Sequence, residues 1–96
     1  MNDQQINQAI AEACGIVGKD KYGPLYQTPD GWVVDCPQFA TDLNAMHQAE
    51  KNLPIKKIVT YFKKLEKLTS YWFMATARER AEAFLKAIGK WEEVQG

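Results

Sequence analysis

A four-residue turn interrupts a sequence whose remaining pattern is largely helical. Thr28-Pro29-Asp30-Gly31 lies between two short runs of strand-forming residues, Leu25-Tyr26-Gln27 and Trp32-Val33-Val34. Proline presets the first turn dihedral and glycine accepts a positive φ, so the two runs are predicted to pair as a β-hairpin. A chain of 96 residues is long enough for one modest core, and we therefore predict a single α+β domain over residues 1–96.

Four segments have the apolar spacing of amphipathic helices. The first follows Asn2, which is suited to an N-cap with Gln5 completing a capping box, and Gly15 is placed to terminate it. The last begins at a second capping box, Thr76 to Glu79. The predicted helices are residues 3–14, a segment from Thr41 or Asp42 to Asn52, a third helix with Pro54 in its first turn and apolar residues from Ile55 to Leu68, and residues 77–88, with Trp91 folding back onto the core.

The aromatic run Tyr71-Trp72-Phe73-Met74 has high strand propensity and is predicted to be a third strand. Residues 18–24 have the composition of a loop. The expected element order is therefore α-β-β-α-α-β-α, with a small three-stranded antiparallel sheet packed with four helices, like an α/β/α sandwich. In the third helix one apolar stripe is expected to face the core: Ile55, Ile58, Val59, Phe62, Leu65 and Leu68.

Composition excludes several classes of protein. Twelve basic and twelve acidic residues give no net charge, which disfavours a general nucleic-acid binder. The longest uncharged stretch, residues 68–77, is far shorter than the roughly 20 apolar residues of a membrane helix, and the first five residues lack the features of a signal peptide. Two cysteines are too few for a disulfide scaffold, so we expect a reduced cytoplasmic protein.

Charge is distributed unevenly along the chain. Residues 1–53 carry three lysines against seven acidic residues, a net charge of −4, and residues 54–96 carry nine basic against five acidic residues, a net charge of +4. Such a split can orient self-association or steer an anionic ligand toward the basic half. If the two halves pack side by side, their fields cancel instead.

A nucleotide site is one interpretation of the aromatic and arginine residues. Aromatic side chains not needed in a small core are candidates for stacking or for an oligomer interface. A helix N-terminus offers free N–H donors to a phosphate, and nearby arginines can strengthen such a site. The candidate ligand-binding residues are Trp32, Tyr26, Thr76, Arg78, Arg80 and Trp91. The alternative is that the arginines are ordinary exposed charges and the tryptophans cover the edges of the core.

The third helix carries lysines away from its apolar stripe. Lys63, Lys64 and Lys67 are candidates for binding an acidic partner or nucleic acid, with Tyr61 as the one aromatic residue beside them. The simpler interpretation is a solvated helix face.

His47 and Glu50 are three residues apart on the second helix and can face the same side. A zinc site needs three or four ligands, and no second cluster of His or Cys completes one, so neither a metal nor a cofactor is predicted. Asp42, at the start of that helix, and Asn44 join His47 and Glu50 as secondary candidates, and no catalytic residue is assigned.

Three segments resemble a family of small uncharacterised bacteriophage and prophage proteins, the phage ABA-sandwich domain. They are Asp42-Leu43-Asn44-Ala45-Met46-His47-Gln48-Ala49-Glu50, the stretch from Ala75 to Leu85 with Gly89-Lys90-Trp91-Glu92, and Ile10-Ala11-Glu12-Ala13-Cys14-Gly15. The resemblance implies an α/β/α arrangement and a phage gene product acting in the host bacterial cytoplasm. It brings no catalytic residues.

The resulting hypothesis is a non-enzymatic, homo-oligomeric binding protein that counters a bacterial defence. It would sequester a nucleotide immune signal or occlude a host defence protein. The alternative is an accessory factor of phage DNA metabolism that contacts nucleic acid through the same lysines.

Overall fold

The computed structural model describes residues 1–91. Four helices and three short strands account for its regular structure, with one turn of 3₁₀ helix before the last helix. In chain order they are α1 (Asp3–Ala13), β1 (Val17–Asp20), β2 (Gly23–Thr28), β3 (Gly31–Val33), α2 (Leu43–Glu50), α3 (Ile55–Leu68), the 3₁₀ helix (Trp72–Met74) and α4 (Ala77–Ala87). The predicted class is confirmed: an α+β domain with four helices and a three-stranded antiparallel sheet.

The first and last helices begin as their sequences predict. The Asn2 side chain accepts a hydrogen bond from the Gln5 N–H, and the Gln5 side chain accepts one from the Asn2 N–H, both at 2.8 Å. Thr76 and Glu79 form the same reciprocal pair at the start of α4. These caps satisfy N–H groups that a helix leaves unpaired in its first turn.

The sheet has the order β1-β2-β3, and its third strand is not the one predicted. The hairpin β2–β3 forms as expected, with Gly31 at φ +118°. Residues 18–24, predicted to be a loop, instead contribute β1 and the start of β2. A tight turn makes this pairing possible, because the Asp20 carboxylate accepts the Tyr22 N–H at 2.8 Å and Gly23 adopts φ +128°.

Residues 71–74, which we call the aromatic turn, do not form a strand. Their backbone closes on itself, since the Met74 N–H donates to the Tyr71 carbonyl at 2.8 Å and the Ala75 N–H donates to that of Trp72 at 3.2 Å. All four side chains are exposed, so no alternation of buried and exposed residues favours an extended conformation. The observed order of helices and strands is therefore α-β-β-β-α-α-α.

The core is built mainly between helices, with α4 in contact with the other three. Four alanines of α4 are buried, and these small side chains allow neighbouring helices to approach closely: Ala77, Ala81, Ala83 and Ala87. Among the sheet residues only Tyr26 is fully buried, and its hydroxyl contacts α1. The sheet is therefore attached beside the helical body, which differs from the expected sandwich of helices over a sheet.

Helix α3 is rotated relative to the prediction from its sequence. Tyr61 and Leu65 are its fully buried residues, whereas Ile55 is 84% exposed and Val59 is 56% exposed. Tyr61 can turn inward because its hydroxyl finds a partner in Glu50, at 2.8 Å, and its ring packs edge-on against Phe84. This rotation leaves part of the predicted core stripe at the surface.

No helix within residues 1–91 combines the length and the apolar character needed to cross a membrane.

Candidate functional site

A buried polar network joins α2, α3 and α4. Glu50 Oε2 accepts the Tyr61 hydroxyl at 2.8 Å and lies 3.2 Å from Arg80 Nη1. Arg80 is 7% exposed, and its other nitrogens donate to the carbonyls of Ala75 (3.3 Å) and Trp72 (3.4 Å). Burial, reinforced by the Glu50 carboxylate, raises the pKa of the Tyr61 phenol, so Tyr61 stays a neutral donor.

This network already engages Arg80, which the sequence predicted to bind a phosphate. Its guanidinium is enclosed and already bonded to a carboxylate and two carbonyls. A buried arginine of this kind is paired within the fold, because an unpaired charge there would be very costly. The sequence contains a signal for this role: Arg80 lies four residues before buried Phe84 and three after buried Ala77, within the apolar face of α4.

The other residues of the predicted phosphate site are also engaged elsewhere. Arg78 donates to the Asp3 carboxylate and to the Met1 carbonyl, which ties α4 to the N-terminus of the chain. The Thr76 hydroxyl accepts the Glu79 N–H at 3.1 Å as part of the cap. The side chains that the phosphate prediction placed at the start of α4 are therefore engaged within the fold.

The three predicted stacking residues lie in different environments. Tyr26 is buried and donates its hydroxyl to Gln8 on α1. Trp32 is 56% exposed, with its ring against Gly18 of β1. Trp91 packs against the core, as predicted, with Arg78 and Lys86 near its ring at 5.9 and 5.8 Å. Within residues 1–91 no ring–ring contact joins any two of these three side chains.

His47 and Glu50 face each other as their spacing predicts. His47 Nδ1 is 3.4 Å from Glu50 Oε1, and the His47 side chain is about half exposed. Across residues 1–91 no three His, Cys, Asp or Glu side chains come together as a set of metal ligands. The other oxygen of Glu50, Oε2, accepts hydrogen bonds from Tyr61 and Arg80 in the buried network.

Two open grooves border the hairpin. One, of about 600 Å³, lies between the turn 28–30 and α2, where Asn44, Gln48 and Asn52 line its wall. The other, of about 660 Å³, lies between the end of β3 and α1. Asp42 borders both grooves, and its carboxylate also caps α2 by accepting the Asn44 N–H at 2.9 Å. Neither lining contains a lysine or an arginine, which makes both grooves poor sites for a phosphate.

The two thiols are partly buried, one in each groove. Burial raises the pKa of both Cys14 and Cys36, and a hydrogen bond with Asn52 or Tyr26, respectively, offsets this only in part. The thiolate is the nucleophilic form of cysteine, so a raised pKa reduces the reactivity of both side chains.

The rotation of α3 produces an exposed apolar surface that the sequence analysis missed. Ile55, Val59 and Phe62 fall at positions i, i+4 and i+7 on one side of α3. The Phe62 ring meets the Trp72 ring edge-on at 5.3 Å, and Trp72 in turn meets Phe73 at 5.9 Å. We call this continuous surface the apolar ridge, comprising Ile55, Val59, Phe62, Tyr71, Trp72 and Phe73.

Lysines border the apolar ridge on one side. At 100° per residue, Lys56, Lys63 and Lys67 project on the side of the ridge that faces away from the core. All three are exposed. Lys64 projects on the opposite side of α3 and is partly buried. Of the predicted partner-binding lysines, Lys63 and Lys67 therefore lie beside the ridge and Lys64 does not. Tyr61, which was predicted to lie beside these lysines, is in the core.

Comparison with known proteins gives no match: no family model, no curated protein and no solved structure is similar to this chain.

Proposed function

We propose that this protein is a non-enzymatic binding module that occludes an acidic surface of a partner protein with its apolar ridge. The observation that carries this proposal is the exposure of Val59, Trp72 and Phe73 in one continuous patch beside lysines. Large exposed apolar patches bordered by polar residues mark interaction surfaces, and aromatic residues dominate the binding energy of many interfaces.

Hydrogen bonds hold the aromatic part of the ridge in one conformation, which favours a role of this surface in binding. Arg80 donates to the carbonyls of Trp72 and Ala75, and these bonds tie the aromatic turn to α4, while the Trp72 ring contacts Phe62 of α3. A surface held in its bound conformation loses less entropy when a partner docks. The lysine border adds charge complementarity, which speeds association with an acidic surface and discriminates against basic ones.

Sequestration of a nucleotide has less support than protein occlusion. Arg78, Arg80 and Thr76 are engaged in intramolecular contacts, and no lysine or arginine lines either groove. Burial raises the pKa of both thiols, so neither Cys14 nor Cys36 is an activated nucleophile. In the setting that the resemblance to phage proteins implies, the partner is a bacterial defence protein in the host cytoplasm.

A pair of charge reversals on one helix tests the proposal. Lys63→Glu places a negative charge beside the ridge, whereas Lys64→Glu makes the same change of charge on the opposite side of α3. Immobilised wild-type and variant proteins are incubated with a nuclease-treated bacterial lysate, and any protein retained by the wild type is purified for calorimetry. We expect Lys63→Glu to weaken binding about tenfold, equivalent to about 1.4 kcal/mol, and Lys64→Glu to bind like the wild type.

Val59→Asp provides a second test that does not rely on lysine. Val59 is 56% exposed, so the fold tolerates the change, but a charge in the middle of the ridge would leave a desolvated carboxylate in the interface. Equal binding by wild type, Lys63→Glu and Val59→Asp would refute the proposal. Retention of nucleic acid from an untreated lysate, and of no protein from a treated one, would favour the alternative role in phage DNA metabolism.

A further inference from the structure

One wall of the groove between the turn 28–30 and α2 consists of carboxamide side chains. Asn44, Gln48 and Asn52 line this wall. Residues four apart lie on the same side of a helix, about 6 Å apart along its axis. Asn52 follows the end of α2, and its N–H donates to the Ala49 carbonyl at 2.9 Å, so the row continues past the helix. We call this cavity, of about 600 Å³, the carboxamide groove.

Two carboxamides of this row are unused within the fold. In residues 1–91 the side chains of Asn44 and Gln48 form no hydrogen bond, and both residues are exposed. Asn52, by contrast, donates to the Gln48 carbonyl at 3.2 Å and interacts with the Cys14 thiol. A carboxamide offers two N–H donors and one carbonyl acceptor. Asn44 and Gln48 can therefore each bind both the C=O and the N–H of a ligand.

The spacing of these two side chains matches that of an extended peptide. In an extended chain the N–H and C=O of one residue point to the same side as those of the residue two positions away, about 6.7 Å further along. The rise from Asn44 to Gln48 is about 6 Å. A peptide lying along α2 can therefore pair with Asn44 at one residue and with Gln48 two residues later. Buried Phe39 and Ala49 also line the groove and offer an apolar contact to alternate side chains of such a peptide.

The charge of the groove favours a basic segment. Asp30 on the hairpin turn and Asp42 before α2 line the groove, and its lining contains no Lys, Arg or His. The Asp30 carboxylate forms no ion pair or hydrogen bond within residues 1–91, and Asp42 caps α2 through Oδ1 alone. A lysine or arginine of a ligand would gain a charge-assisted hydrogen bond with either carboxylate, whereas an acidic segment would be repelled.

We infer that the carboxamide groove binds an extended basic peptide segment of a partner protein. The backbone of this segment pairs with the side chains of Asn44 and Gln48, and a lysine or arginine lies beside Asp30 and Asp42. No lining residue of the groove belongs to the apolar ridge. The groove is therefore a second binding surface, and its preference for charge is opposite to that of the ridge.

Peptide selection on the intact protein tests the inference. A library of short random peptides displayed on filamentous phage is selected on the immobilised wild type, and enriched peptides are synthesised for calorimetry. We expect a class rich in Lys and Arg whose affinity falls about tenfold in Gln48→Ala, through lost hydrogen bonds, and falls also in Asp30→Asn, through lost charge. Gln4→Ala on α1 and Glu66→Gln on α3 make the same kinds of change at exposed residues outside the groove and should bind like the wild type.

The same variants separate the groove from the ridge. Peptides that are weakened by Lys63→Glu and not by Gln48→Ala bind at the ridge. If no enriched peptide is weakened by Gln48→Ala, the inference is overturned, whatever the result for the ridge. A basic peptide that is weakened by Gln48→Ala and unaffected by Lys63→Glu supports the groove even if the proposed function of the ridge fails.

Methylation of single peptide nitrogens tests the extended pairing itself. Because only alternate residues of the peptide face α2, N-methylation should weaken binding at residues two apart and leave the intervening residues close to the affinity of the unmodified peptide. An equal loss at every residue, or at none, would contradict pairing with the backbone. Free arginine or spermidine that shifts the side-chain amide resonances of Asn44 and Gln48 as strongly as the peptide does would show a site for a cation alone and overturn the peptide assignment.

Discussion

Arg80 shows how one side chain links the core to the surface. It forms an ion pair with Glu50 while donating to two carbonyls at the ends of the 3₁₀ helix. Glu50 in turn accepts the hydroxyl of Tyr61, the residue whose inward position sets the rotation of α3. A single buried cation therefore contacts both the carboxylate that binds Tyr61 of α3 and the backbone of the aromatic turn.

Removal of Arg80 should be far more damaging than removal of Arg78. Arg80→Ala leaves the Glu50 carboxylate without its cation in a site where both side chains are mostly buried, and we expect a loss of about 3–5 kcal/mol in the free energy of unfolding. Arg78→Ala removes an ion pair with Asp3 whose members are both about half exposed, and the loss should be about 0–1 kcal/mol. Urea denaturation of both variants measures the difference. Similar losses in the two would contradict the role of the network.

The elements that the sequence predicted well are those with local signals. Asn2 with Gln5 and Thr76 with Glu79 are pairs three residues apart, and both capping boxes form. The turn before Gly31 depends on a positive φ, another local property. Such features need no knowledge of the rest of the chain, which explains why the helix starts and the β2–β3 hairpin agree with prediction.

The elements that differ are those decided by distant contacts. Residues 71–74 have strand propensity, but bonds from Arg80 and closure of the backbone within the turn produce a 3₁₀ helix. β1 has few strand-forming side chains and exists because the turn at Gly23 brings it onto β2. The same holds for the candidate site: Arg80 was predicted to bind a ligand from its position in the first turns of α4, and that local signal does not identify Glu50, 30 residues away, as its partner.

Substitutions on α3 test which of its faces is buried. Leu65→Ala removes a fully buried side chain and should lower the free energy of unfolding by about 2–5 kcal/mol. Ile55→Ala truncates an aliphatic side chain that is 84% exposed, and its effect should stay within about 0.5 kcal/mol. The predicted apolar stripe placed both residues in the core. Comparable losses for the two variants, measured by thermal and urea denaturation, would show that Ile55 is buried after all.

The whole molecule consists of a helical body with a sheet attached to it through few contacts. Helix α4 contacts the other three helices, while Tyr26 is the sheet residue that is fully buried. Two exposed surfaces follow from this layout: the apolar ridge on α3 and the aromatic turn, and the carboxamide groove between the hairpin turn and α2.

Hydrogen exchange distinguishes the two parts of the molecule. Segments with few buried contacts open at lower free energy than the core, so amides of β1 and β3 should exchange faster than those of α4. Exchange rates of individual amides, measured by NMR, test this expectation. Equal protection of the sheet and of α4 would contradict a sheet that is attached to the helical body through few contacts.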